Sequence, residues 1–207
     1  MRQIFAVVLM TALFISICNA DVRCEYNLKR LAAENALKYT YIREKTNRND
    51  HPDIDKFLKY LGLPPRQSWC AAFVIYNFKE ASEKISVPQP LPKYARVALL
   101  LKKCKENPLR FKVLTKEQVV LDLIKLEKGD LPVWICSPVK NDDFNGHIGF
   151  VLKQIDTKTI HTIEGNTTSG NTGDQREGGG VYERTRKIVP SSTFRLEYFI
   201  RYIGDRY

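Results

Sequence analysis

The stretch Pro64-Pro65-Arg66-Gln67-Ser68-Trp69-Cys70-Ala71-Ala72-Phe73-Val74-Ile75 decides how the chain is read. The two prolines stop whatever helix precedes them, and from Ser68 to about Glu83 the residues are almost all apolar or small for two turns before turning charged. That pattern predicts a buried helix. Ser68 or Gln67 falls at its beginning, so Cys70 lies in the first turn. There the backbone N–H groups lack intrahelical partners and the helix dipole favours negative charge. A lone cysteine among Ala, Phe and Val is most often a small buried core residue. The residues around it must decide between a packing thiol and a reactive one.

On the N-terminal side, Leu28, Leu31, Ala32, Tyr39 and Ile42 recur at helical spacing and predict an amphipathic helix from about Asn27 to Glu44. A short helix follows, opened by Asn49-Asp50 with Pro52 and Asp53 and closed by Gly62 before Pro64-Pro65. On the C-terminal side, Val87-Pro88-Gln89-Pro90-Leu91-Pro92 reads as an extended connector. Val97, Ala98, Leu100 and Leu101 place a helix over Tyr94 to Lys105. Thr115 with Gln118 forms a capping box that starts another from Lys116 to Leu126, ended by Lys128-Gly129. The segment at about 84–128 is thus expected to be largely helical. After Asp130 the period changes to two. Leu131 to Ser137, Ile148 to Ile155, Lys158 to Ile163, Val181 to Val189 and Glu197 to Ile203 predict strands of one small antiparallel sheet. The expected class is α+β, with N-terminal helices and the Cys70 helix packed on that sheet.

Downstream, His147 stands in Gly146-His147-Ile148-Gly149-Phe150-Val151, followed by Glu164-Gly165-Asn166. A thiol, an imidazole and a third polar group suffice for acyl transfer. The thiolate attacks a carbonyl carbon, the imidazole moves the proton, and the third group fixes the imidazole's tautomer and orientation. A hairpin turning at Asp156-Thr157 sets His147 opposite Asn166 and Gly149 opposite Glu164. Glu164 then lies diagonal to His147 on one face, with room to lean over Gly149. His51, before Pro52 in a charged turn, and His161, of opposite parity to Glu164, read as structural or solvated. Trp69 reads equally as a wall of the cleft or as a core aromatic. The glycine-rich run from Thr167 to Gly180 is a loop beside Glu164 and Asn166.

Several of these motifs together resemble the cysteine, histidine-dependent amidohydrolase/peptidase (CHAP) family of peptidoglycan hydrolases. They are Trp69 to Val74, Gly129-Asp130, Gly146 to Gly149, and Glu164 to Asn166, preceded by Arg43-Glu44, Asp55-Lys56-Phe57-Leu58 and Gly62-Leu63-Pro64. The resemblance spans about Asn27 to Ile203, apart from the middle segment at about 84–128, which it implies is a helical insertion flanking the cleft. It implies a papain-like arrangement with Cys70 as nucleophile, His147 as base and then acid, Glu164 as orienting carboxylate and Asn166 as a supporting polar group. It also implies a substrate class, amide bonds of peptidoglycan or its peptide fragments, and no cofactor. Amidases and endopeptidases both occur in the family. The residues alone argue only for acyl transfer by an activated thiol. A thiol peptidase or amidase on a non-wall substrate and a non-catalytic wall-binding module of the same fold therefore remain as alternatives.

Composition bounds the rest. The chain has 207 residues, 43% of them hydrophobic, enough for one domain with an ordinary core and no second module. Arg2, the apolar run Ile4 to Ile17 and small residues ending in Ala20 predict a cleaved signal peptide over 1–20, too short to span a bilayer as a helix. Ile17 before Cys18 disfavours a lipoprotein signal. A secreted or periplasmic monomer covering 21–207 is expected, with no stable membrane insertion. The net charge of +10 is scattered rather than clustered and no nucleic-acid motif accompanies it, so the basic residues read as a solvated surface. Without the leader the cysteines are Cys24, Cys70, Cys104 and Cys136. If Cys70 stays a thiol one bridge can form, and Cys104 with Cys136 is the candidate pair. Their spacing does not suit a zinc site.

Overall fold

The computed structural model describes residues 28–136, 140, 143–170, 178–188 and 194–204. The expected signal peptide, Cys24 and residues 171–177 of the expected 167–180 loop lie outside the described residues. The chain is mixed α and β, with five helices among the described residues and antiparallel sheets.

Helix α1 covers residues 28–37 and buries Leu28, Ala32, Ala33 and Ala36. It is shorter than its apolar pattern suggested, because the chain leaves the helix in turns through residues 38–41 and then bridges from Arg43 to Gly180. Helix α2, Pro52–Tyr60, begins as expected at a proline, and its N-cap is His51, whose Nδ1 accepts from the Asp53 amide at 3.2 Å. His51 therefore caps a helix. Helix α3, Cys70–Lys84, carries the decisive stretch and buries Ala71 through Phe78. Each large apolar side chain of this kind stabilises by about 1.5–3 kcal/mol when fully buried. Trp69, at the N-cap, is fully buried, donates Nε1 to Glu44 Oε1 at 3.1 Å and packs on Phe57 and Phe73. It is a core aromatic.

Helix α4 spans Val97–Lys105, and the segment after it departs from the expected helical insertion. Phe111–Thr115 forms strand β1, which pairs along its whole length with the last strand, Phe111 opposite Tyr202 and Thr115 opposite Tyr198. The capping box at Thr115 and Gln118 is present, but helix α5 runs only over Lys116–Val120. Phe111, Val113 and Thr115 are β-favouring residues, and pairing with the last strand holds this short stretch extended.

The remaining strands are β2 (Leu131–Ile135), β3 (Gly146–Ile148), β4 (Phe150–Asp156), β5 (Thr159–Thr167), β6 (Gly180–Lys187) and β7 (Arg195–Tyr202). They make two sheets rather than one, ordered β1-β7-β2-β3 and β4-β5-β6. The anticipated hairpin register holds next to the site, where Phe150 faces Ile163 and Val151 faces Thr162, and it slips at irregularities nearer the turn. At Gly149 the chain leaves one sheet for the other, so His147 pairs with Trp134 of β2 and not with Asn166. Backbone bonds of 2.9 Å from Gly129 N to Val151 O and 2.8 Å from Val151 N to Asp130 O tie the sheets together there. Asp130 is itself fully buried and receives Arg201 of β7 through Nε at 3.0 Å and Nη2 at 2.7 Å, an ion pair that explains the Gly-Asp motif structurally.

Helix α3 packs on β3 and β5. The closest approach is at Gly165, where a Cβ would lie 2.7 Å from both Phe73 Cγ and Trp69 Cζ3. Gly165→Ala is therefore expected to destabilise by about 1–3 kcal/mol through overpacking. A lowered urea midpoint would register this, and an unchanged midpoint would show that helix and strand are not in this contact.

Candidate active site

Cys70 is the first residue of α3, and the exposed Ser68 precedes it by two positions. The residue is 5% exposed and lines a cleft of about 270 Å³. Ala95, Arg96 and Val97, at the start of α4, line one side of the cleft. Phe144, Asn145 and Gly146, leading into β3, line the other. The segment between α3 and β2 thus flanks the cleft, as the sequence suggested. Arg96 pairs with Asp143, and both side chains reach solvent. As N1 of the helix, Cys70 offers a backbone N–H that no helical carbonyl can accept from, and such a donor suits an oxyanion.

His147 is carried by β3 and is fully buried. Its Nε2 meets Glu164 Oε2 at 3.0 Å. Nδ1 completes no hydrogen bond, yet Cys70 is near enough to act on the ring. Burial opposes charge on this imidazole, but the Cys70 thiol and the Glu164 carboxylate outweigh it and push its pKa up to about 9. Trp134, directly opposite on β2, lies 5.5 Å from the imidazole, and Phe194 lies 5.8 Å from it.

Glu164, on β5, is also fully buried. Gly149 makes the room anticipated for it, since a Cβ there would lie 2.8 Å from Glu164 Cγ. Oε1 accepts from Thr162 Oγ1 at 2.6 Å and from Arg186 Nε at 2.8 Å, while Oε2 accepts from Arg186 Nη2 at 2.6 Å. Burial alone would raise this carboxyl's pKa. Arg186, and then His147, reverse that and hold it well below the usual carboxylate range.

The structure therefore brings Cys70, His147 and Glu164 together, and it is Glu164 rather than Asn166 that bonds to the imidazole. Asn166 is buried at a bulge in β5 with φ of 59°, and its side-chain amide makes no hydrogen bond to a protein group. Thr162, Arg186, Trp134 and Phe194 were not singled out from the sequence. The one available sign was a pair of arginines two apart in a strand, at 184 and 186, which places both on one face. His161 lies on β5 with Nε2 3.3 Å from Glu183 Oε2, half exposed and outside the site. The anticipated bond between Cys104 and Cys136 does not form, and Cys104 is a buried free thiol whose pKa burial pushes up to about 12. Among the described residues no group of three or more His, Cys, Asp or Glu is placed to hold a metal, and no helix is long and apolar enough to cross a membrane. Neither protein-family models nor curated protein sequences match the chain.

The raised imidazole pKa has a consequence for stability. A group whose folded pKa lies above its ordinary value stabilises fully below that ordinary value and loses its contribution as pH rises through the folded pKa. The stability difference between the protein and its His147→Gln variant is thus expected to hold up to about pH 6.5 and to shrink as pH rises through about 9. Denaturant unfolding across this range measures it, and a difference that widens with pH would contradict the assignment.

Proposed function

We propose that the protein is a cysteine hydrolase that cleaves amide bonds in peptidoglycan, acting outside the cytoplasm as a monomer with a papain-like arrangement. The observation that carries the chemical part is the buried bond from Glu164 to His147, whose other ring nitrogen makes no hydrogen bond, beside Cys70 in the lining of a cleft. The wall substrate is supported by the motifs around Cys70, His147 and Glu164 that resemble the CHAP family.

In this reading the Cys70 sulfur attacks the amide carbonyl carbon and the charge moves onto its oxygen beside the N-terminus of α3. Imidazolium gives its proton to the departing amine as the carbon–nitrogen bond breaks, leaving an acyl-thiol. Water then loses a proton to the neutral imidazole, attacks the acyl carbon and expels the thiolate, which restores the starting pair. Glu164 keeps the ring oriented through both steps and is not itself protonated.

Purified peptidoglycan digested with the protein is expected to yield fragments with new amino termini, identified by mass spectrometry. Cys70→Ser is expected to lower the rate by about 10³-fold or more. Equal digestion by the variant would refute the thiol mechanism. Failure of the unsubstituted protein to release any fragment would refute the substrate class.

A further inference from the structure

Strand β6 alternates exposed Glu183, Thr185 and Lys187 with inward Arg184 and Arg186, which are only 6% and 8% exposed. Burying a guanidinium is costly unless its charge and donors are matched. Arg184 turns to the backbone carbonyls of Ser169 and Gly170. Arg186 instead places a two-point fork on Glu164, with Nε on Oε1 at 2.8 Å and Nη2 on Oε2 at 2.6 Å, and reaches Thr167 Oγ1 at 3.2 Å. Its guanidinium carbon lies 5.1 Å from the Phe194 ring and 5.8 Å from the Trp134 ring. Those two rings stack on each other at 5.4 Å, and both also contact His147.

We propose that Arg186 is a positioning residue, whose fork on Glu164 fixes the carboxylate plane so that Oε2 holds His147 Nε2 and leaves Nδ1 facing Cys70. The inference rests on Cys70 and His147 acting as a pair. A glutamate side chain with the imidazole as its sole partner could swing about three torsions. Two parallel bonds from a planar guanidinium remove that freedom, and Thr162 fixes Oε1 as well. The fork also keeps the buried carboxyl ionised. Without a cation beside it a carboxyl in this interior would take up a proton and become a poor acceptor for His147. The charged and titratable groups facing this centre are Cys70 from α3, His147 from β3, Glu164 from β5 and Arg184 from β6. Arg184 is bound to loop carbonyls, so it does not take over the fork.

The test is a ¹⁵N NMR titration of the histidine side chains, three in number and separable by a His147→Gln spectrum, in the protein and in Arg186→Gln. The His147 midpoint is expected near 9 in the unsubstituted protein. It should fall by about one pH unit or more in the variant, because the imidazolium loses a fixed anion while its burial remains. An unchanged or higher midpoint in Arg186→Gln would overturn the proposal. A merely structural arginine would lower the melting temperature and leave the midpoint in place.

Arg186→Lys guards against a variant that does not fold. It keeps the charge but not the fork, and alkylation of Cys70 by iodoacetamide at neutral pH, read as mass on the Cys70 peptide, is expected to slow about tenfold. Alkylation at the unsubstituted rate would likewise overturn the proposal. The titration reports on the imidazole whether or not any substrate is turned over. An inert wall digest therefore refutes the proposed substrate, while an unmoved midpoint refutes only the role of Arg186.

Discussion

A fully buried carboxylate, Glu164, is the point on which the rest of the structure turns. Its two oxygens collect donors from three strands: Thr162 of its own strand β5, Arg186 of β6 and His147 of β3. An anion at zero exposure survives only when charge and lone pairs are matched nearby. Stripping one partner from such a buried pair costs about 3–5 kcal/mol, because the remaining charge is left uncompensated. The same bonds that orient the imidazole therefore also join the sheet that carries His147 to the sheet that carries Glu164. At this place the scaffold and the candidate chemistry cannot be varied independently.

The thiol reaches this centre by close packing. Gly165 lets β5 lie directly against Phe73 of α3 and Trp69 at its N-cap, and Gly149 leaves space for the Glu164 side chain between the strands. Away from the site, polar contacts hold the frame. Trp69 is anchored to Glu44 by its indole N–H, and Asp130 is locked to Arg201 where the two sheets meet. The motif glycines and the Gly-Asp pair thus act through packing and pairing, while the other motif residues, Cys70, His147 and Glu164, bring their chemical groups to one place.

What could be read in the sequence was local. The apolar run after Ser68 announced a buried helix with Cys70 in its first turn, the Thr115 and Gln118 capping box was visible, and a hairpin centred on Asp156-Thr157 gave the pairing of Phe150 with Ile163, though not the pairing at the turn itself, where Asp156 faces Thr159. Features set by distant partners were not legible. Phe111–Thr115 carries β-favouring residues too few to announce a strand by themselves, and its pairing with β7, some ninety residues away, is encoded by no local pattern. The division into two sheets depends on the backbone changing partners at Gly149, which alternation alone reads straight through. Within the site, Cys70, His147 and Glu164 were recognisable by type and spacing. Arg186, Thr162, Trp134 and Phe194 became visible only once the fold had placed them around the same carboxylate, and the choice of Glu164 over Asn166 required the distance itself.

The proposed chemistry depends on one juxtaposition, the Cys70 sulfur beside the His147 imidazole. A three-carbon reagent with an electrophile at each end, such as 1,3-dibromoacetone, measures this directly, since alkylation of the thiol delivers the second electrophile to whatever nucleophile stands beside it. Proteolysis and mass spectrometry are expected to recover a covalently linked pair of peptides, one containing Cys70 and the other His147. Complete alkylation of Cys70 with the second arm hydrolysed, or joined to a residue other than His147, would contradict the account.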